Sequence, residues 1–196
     1  MNIQVLVAVE EHLNNRVHHK ETNLFTAPFV KFDPAIVELI NTQLMQDKGK
    51  REPTIYEDVI VYIKRLNNAR FLRQNGEVKE APFYQYAYID KSTWSELKWN
   101  QVVPSKKTLL KLILALKLDK AEAEALMAKG QKAFDPDDFQ DQVILAVIGM
   151  RNGEYEIDID DIIEILDYYR TNGPRTFDSI YETPEMIAER KRTLSI

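Results

Sequence analysis

Residues 84–118, YQYAYIDKSTWSELKWNQVVPSKKTLLKLILALKL, decide how this chain folds. They read as a short helix, a tight polar turn, a second short helix, a loop and a strongly apolar third helix. Ala87 stands where two helices crossing near a right angle require a small side chain, and Ile89-Asp90 makes the turn. Asp90 or Ser92 caps the next helix through a side-chain oxygen. Trp94 and Leu97 are three apart and face inward together, which turns Lys91, Ser92, Thr93, Ser95, Lys98 and Asn100 mainly outward. Pro104-Ser105 restarts a helix with Ser105 as N-cap. Leu109, Leu112, Ile113 and Leu116 form its buried stripe. This is helix-turn-helix grammar.

Working outward, Pro53-Thr54-x-x-Glu57 is a capping box. It opens a long helix with Ile55, Val59, Tyr62, Ile63, Leu66 and Arg70 along one side, ending near Leu72 before Gln74-Asn75-Gly76. Downstream, Asp119-x-x-Glu122 is a second capping box, and Gly130 ends its helix. Asp137 or Asp138 caps the next helix, whose VILAVIGM segment is apolar all round and so central. Asn152-Gly153 breaks it. Asp158 to Asp161 start another helix carrying Ile159, Ile162, Ile163, Leu166 and Tyr169, and Asn172-Gly173-Pro174 ends regular structure. At the N-terminal side, strand and helix both fit residues 3–9, although Leu6, Val9, Leu13 and Val17 recur at helical steps. Phe25, Phe29 and Phe32 need a cover. Asp33-Pro34 starts a helix with Ile36, Val37, Ile40 and Leu44 on one face. The predicted architecture is all-α: an N-terminal helical extension over residues 1–50, a helix-turn-helix-like domain over 53–170, and an extended C-terminal arm over 171–196. In that arm Thr183-Pro184 offers a second helix start. Phe177, Ile180, Tyr181, Met186 and Ile187 are too many apolar groups for an idle tail, so a protein groove is expected to receive them.

A chain of 196 residues has room for one domain of typical size with appendages. Its 44% hydrophobic and 29% charged residues are ordinary for a globular chain. It has no cysteine, which excludes disulfides, thiolate nucleophiles and cysteine metal sites. The opening IQVLVAV lacks a basic leader and a cleavage site, so no signal peptide is expected. The apolar runs fall short of the roughly 20 residues that cross a bilayer. Net charge is −5, but its distribution is uneven. From Tyr88 to Lys111 five lysines face Asp90 and Glu96, a balance of +3, whereas from Asp135 to Asp167 eleven acids face Arg151 alone. Such segregation orients a protein on DNA, or lets an acidic patch of one subunit meet a basic patch of another.

The segment YAYIDKSTWSELKWNQVVPSKKTLLKLILALKLDKAEAEALMAKG resembles the divergent lambda-repressor-like (XRE-type) helix-turn-helix module of bacterial and phage proteins. The likeness rests on Ala87, Ile89-Asp90, Trp94-Ser95, Pro104-Ser105-Lys106, the Leu/Ala-rich helix, and Glu122 through Gly130, and it spans roughly Ile55 to Tyr169. Two features depart from the pattern. Glu96 stands where Lys or Arg is usual, and Leu72–Ala81 is longer than the usual link. The resemblance implies DNA contact through the second helix of the motif.

Candidate DNA-contacting residues are therefore Lys91, Ser92, Thr93, Ser95, Lys98 and Asn100, with Lys106 and Lys107 on the backbone beside the amide donors at the Ser105 helix start. No arginine accompanies them, although arginine makes the commonest specific base contact. Trp99 falls at the edge of the helix, where an exposed indole marks a protein interface more often than a base contact. Asp158, Asp160, Asp161 and Glu164 lack the register of a calcium loop and read as capping acids. His12, His18 and His19 lack metal-ligand spacing. Glycine-rich phosphate loops, nucleophile elbows and HExxH are absent. The expectation is a non-enzymatic DNA-binding protein, a regulator or an accessory module of a phage or mobile element. The alternative is a structural or assembly protein, such as a particle component or ring-forming adaptor. No cofactor, metal, membrane or small-molecule substrate is expected. The expected partners are double-stranded DNA and protein, including copies of this chain, in the cytoplasm or in a particle assembled there.

Overall fold

The computed structural model describes residues 6–11, 13, 52–151, 157–173, 180 and 181. Residues 6–11 and 13 are helical and bury Leu6, Val9 and Leu13, the helical rather than the strand reading of this stretch. Seven helices follow among the described residues. They are α1 (Ile55–Leu66), α2 (Glu80–Tyr86), α3 (Lys91–Lys98), α4 (Lys106–Ala115), α5 (Lys120–Lys129), α6 (Phe139–Arg151) and α7 (Ile159–Asn172). The fold is all-α. The one β feature among the described residues is an isolated antiparallel bridge between Leu72 and Val78.

Local chemistry sets most of the helix starts. Both anticipated capping boxes form: Thr54 with Glu57 on α1, and Asp119 with Glu122 on α5. A third joins Asp158 and Asp161 on α7, which explains the acids there by the unsatisfied amides of the first turn. Asp90 caps α3 and Ser105 caps α4. For α6, Asp138 rather than Asp137 supplies the oxygen, accepting from the Gln140 amide at 2.9 Å.

α4 is the centre, with every residue from Leu112 to Leu116 buried. It packs on α5, and α5 on α6, while α3 packs against both α1 and α2. In α6 Val143, Ile144, Ala146, Val147 and Ile148 are buried; in α7 so are Ile159, Ile162, Ile163, Leu166 and Tyr169. Ion pairs fasten α1 to α5: Arg65 grips Glu122 with both terminal nitrogens, one at 2.9 Å, and Lys129 meets Asp58. The N-terminal helical residues lie against α7, where the Tyr168 hydroxyl donates to Glu10 at 3.4 Å.

Two expectations change. The first helix stops at Leu66, not near Leu72, because Asn67 turns left-handed (φ 47°) and its amide bonds back to the Lys64 carbonyl. That reversal sends Phe71 into the core, 5.5 Å from the Phe83 ring and edge-on to it. Arg70 consequently leaves the helix face and lies over the rings of Tyr86 (5.4 Å) and Phe71 (5.8 Å). Of the long link expected over Leu72–Ala81, residues 72–79 form a tight reversal, with the Arg73 amide bonded to the Glu77 carbonyl and Gly76 at φ 78°, and Glu80 and Ala81 already belong to α2. Second, Gly130 does follow α5, yet its φ is −82°, and Gln131 takes the left-handed position at 56°. The glycine is needed for space instead: a Cβ there would lie 2.5 Å from Leu109 Cδ1.

The predicted features at Val17, Asp33-Pro34, Asn152-Gly153, Pro174, Phe177, Thr183-Pro184, Met186 and Ile187 lie outside the described residues, as do the three histidines and Phe25, Phe29 and Phe32. Ile180 and Tyr181 are described, and both are buried. Tyr181 lies edge-on to Tyr88 at 5.6 Å, with the Lys111 ammonium 5.7 Å from its ring centre. This part of the arm docks on the chain's own helical domain.

Candidate nucleic-acid interface

The turn from α2 into α3 is built from four residues. Ala87 is fully buried, Tyr88 takes a left-handed φ of 53°, Ile89 is buried, and Asp90 caps α3. Tyr88 is held in place because the Lys111 ammonium, from α4, donates to its carbonyl at 2.6 Å. Asp90 gathers three donors: the Thr93 amide at 2.8 Å, the Thr93 hydroxyl at 2.7 Å and the Ser92 hydroxyl. The Ser92 hydroxyl and the Thr93 bonds hold the Asp90 carboxyl well below the usual carboxylate range. Two of the hydroxyls expected to face a ligand are therefore turned back onto the cap.

Trp94 and Leu97 point into the core as their spacing requires. Behind them lies a hub that joins three helices. Glu80 of α2 accepts from the Trp94 indole (2.8 Å) and the Lys98 ammonium (2.8 Å) of α3, and from the Tyr56 hydroxyl (3.0 Å) of α1. Burial pushes the Glu80 carboxyl up, but the bonds from Lys98, Trp94 and Tyr56 outweigh it and hold the group below its ordinary value. Burial, with the neighbouring Glu80, pushes Tyr56 up to about 12.

The outer face of α3 and the start of α4 carry the remaining candidates. Lys91, Ser92, Ser95, Lys98, Asn100 and Lys107 are exposed, while Thr93 and Lys106 are half-buried. Their charges are not equally available. Lys98 is bound to Glu80, and Lys106 is bound to Asp141 with Asp138 3.9 Å away. Among the described residues no ion pair ties Lys91 or Lys107. Asp141, in the first turn of α6, is the one buried charged residue among those described, at 1% exposure. Its Oδ2 accepts from Lys106 and from the Asp135 amide at 2.6 Å, and its Oδ1 has no hydrogen-bond partner among the described residues.

Beyond α3 the connector is firmly held: the amides of Trp99, Asn100 and Gln101 bond to the carbonyls of Ser95, Leu97 and Glu96. Asn100 sits at φ 52°, and Pro104 is buried. Between these anchors Trp99 (67%), Val102 (51%) and Val103 (54%) stand exposed. Trp99 was anticipated at an interface; the two valines were not, although adjacent β-branched residues in a loop ahead of a proline were the available signal. Glu80 and Asp141 were also missed. Their side-chain partners lie 14 to 35 residues away in sequence, a separation that no helical periodicity encodes. Of the interface residues predicted in the arm, Ile180 and Tyr181 are brought onto the core beside Tyr88.

An open depression beside this hub is lined by Tyr56, Glu57, Ile60, Lys64, Glu77, Val78 and Glu80. Glu80 is engaged by three donors there, and Tyr56 is held protonated at neutral pH. No group of three or more metal-ligating side chains comes together among the described residues, and no described helix is long and apolar enough to cross a membrane. Family models, curated proteins and solved structures were all compared with the chain, and none matches it.

Proposed function

We propose that this chain is a non-enzymatic DNA-binding protein of the helix-turn-helix type, with α3 as the helix that meets the duplex. One observation carries the reading. The Asp90-capped α3 sends Trp94 and Leu97 inward and leaves Lys91 and Ser95 on an open face, with Lys107 at the start of the next helix. A rigid helix with hydroxyl and ammonium groups on its outer side suits phosphate and groove contacts. The engaged state of Glu80 and Tyr56 supports the non-enzymatic part of the reading.

Anisotropy of a labelled duplex, titrated across a salt series, tests the proposal. Affinity should fall as salt rises, and Lys91→Glu with Lys107→Glu should weaken binding tenfold or more and flatten the salt slope by about one unit per lysine. These two positions are chosen because a Glu at 98 would face Glu80, and a Glu at 106 would face buried Asp141. Either would disturb the fold before it disturbed DNA. No binding at low salt, or binding indifferent to the double variant, would remove the proposal.

The exposed Trp99, Val102 and Val103 favour a second reading, a structural or assembly protein that uses the same scaffold for protein packing. Light scattering distinguishes the two: an oligomer that persists at high salt supports packing, and a monomer that binds duplex supports the first.

A further inference from the structure

We propose that the hollow in the reversal between α1 and α2 is a phosphate site, filled by the backbone of a nucleic-acid duplex. It is an open depression of about 770 Å³ with Asn67, Arg73, Gln74, Asn75, Gly76 and Lys79 on its walls. Only Ala69 and Leu72 add apolar surface, and no carboxylate lines it. The hollow exists because the link between the two helices is long enough to fold back on itself.

Its charge is not neutralised. Arg73 and Lys79 make no ion pair among the described residues, unlike Lys98 and Lys106 of the helix-turn-helix. Glu77, the one acid between Asn67 and Lys79, lines the neighbouring depression beside Tyr56 instead. The Lys79 ammonium gives one proton to the Ala69 carbonyl at 3.0 Å, which fixes it at the wall and leaves two protons to donate. Asn75 accepts the Glu77 amide at Oδ1 (3.1 Å), so its amide nitrogen is the end left over. The backbone amides of Gln74 and Asn75 have no hydrogen-bond partner among the described residues. A guanidinium, an ammonium and two successive backbone amides make a donor set suited to an anion.

These donors are held in place before any ligand arrives. The Leu72–Val78 bridge, the backbone bonds from Arg73 to Glu77 (2.8 Å) and from Lys79 to Phe71 (2.7 Å), and Phe71 buried against Phe83 fix the reversal. Binding there orders little of this chain, which lowers the entropic cost of association. Chemistry then selects the occupant. Phosphate offers several acceptor oxygens to several donors, and guanidinium matches it well. No aromatic ring lines the hollow, so a base would find nothing to stack on, which disfavours a mononucleotide or an unpaired strand. A phosphodiester backbone needs no such ring, and contacts to it position a duplex without reading its sequence. Duplex as the source of that phosphate rests on the DNA-binding reading, but the donors lie outside α3 and α4.

The full chain is titrated with a labelled duplex across a salt series, and with inorganic tripolyphosphate by calorimetry. Arg73→Gln and Gln74→Glu should each weaken duplex binding by about threefold to tenfold, equally on unrelated sequences. Arg73→Gln should flatten the salt slope by about one unit, and Arg73→Lys should keep the slope. Both side chains are exposed, so the melting temperature should not move. Tripolyphosphate should compete with the duplex, and Arg73→Gln should weaken its binding as well. Duplex affinity and slope unchanged in both variants would overturn the proposal, as would binding of neither probe. A chain that takes up tripolyphosphate through Arg73, with no duplex binding that depends on Arg73, would assign the hollow to a free polyphosphate and remove the backbone assignment. Loss in Lys91→Glu/Lys107→Glu alone keeps the α3 reading and removes this one; loss in Arg73→Gln and Gln74→Glu alone does the reverse.

Discussion

Two glycines test whether space or conformation matters at a given residue. Gly130 has an ordinary φ, but a Cβ would press on the methyl groups of Leu109, which is fully buried and would have to shift. Gly130→Ala should therefore destabilise by about 1–3 kcal/mol, as overpacking does. Gly149 lies inside α6, is exposed, and has nothing within 4 Å of the place a Cβ would take. Gly149→Ala should stabilise by about 0.5–1 kcal/mol through helix propensity and a less free unfolded chain. Urea unfolding of both variants checks the pair, and effects of the same sign would contradict it. Glu80 sets a third expectation. Its folded value is depressed, so its contribution to stability is present above the ordinary glutamate range near pH 4 and is lost as pH falls below it. Tyr56 works in the opposite direction. Raised to about 12, it contributes fully below the ordinary tyrosine value of about 10 and loses that contribution as pH rises toward 12. Glu80→Gln should flatten the acid limb of a stability–pH profile, and Tyr56→Phe the alkaline limb.

Individual helices depend on their caps and on one buried charge. Asp90 satisfies the first turn of α3 and also organises Ser92 and Thr93, so Asp90→Ala should cost about 1 kcal/mol, with Asp90→Asn recovering most of it. Because Asp90 is held ionised, its share of stability should also fade below about pH 4. The Lys106–Asp141 pair fastens the start of α4 to the first turn of α6. Removing one member leaves the other charge without its partner, and Asp141 is fully enclosed. Lys106→Met should thus cost about 3 kcal/mol, while the double change with Asp141→Leu should recover part of the loss. Thermal unfolding of the single and double variants measures this coupling, and additive losses would mean the pair does not act as a unit.

The C-terminal arm contributes to the whole domain through Ile180 and Tyr181. Tyr181 closes over Tyr88 and Lys111, at the turn that sets the angle of α3. Burying two such side chains stabilises by about 1.5–3 kcal/mol each, set against about 1–2 kcal/mol of backbone entropy per ordered residue. Deleting residues 175–196 should lower the melting temperature by several degrees, and Tyr181→Ala alone should produce much of that drop. A truncated chain with an unchanged melting point and mass would show that the arm adds nothing.

Where most of the described helices start was legible in the linear chain, because capping uses residues three positions apart: Thr54 with Glu57, Asp119 with Glu122, Asp158 with Asp161; α2 was not, since it opens at Glu80 with no side-chain cap from Lys79. The inward face of α3 was legible as well, since Trp94 and Leu97 need only a 3.6-residue period to be placed together. The reach of α1 was not. Its apolar spacing continues past Leu66, and the break at Asn67 is favoured because Phe71 gains burial against Phe83. Nor was the charge available to a ligand. Five lysines between Tyr88 and Lys111 count equally in composition, yet Lys98, Lys106 and Lys111 are taken up by Glu80, Asp141 and the Tyr88 carbonyl. Local patterns fix helix ends and faces because their partners are a turn apart; pairing across helices depends on how those faces meet in space, which only the packed fold determines.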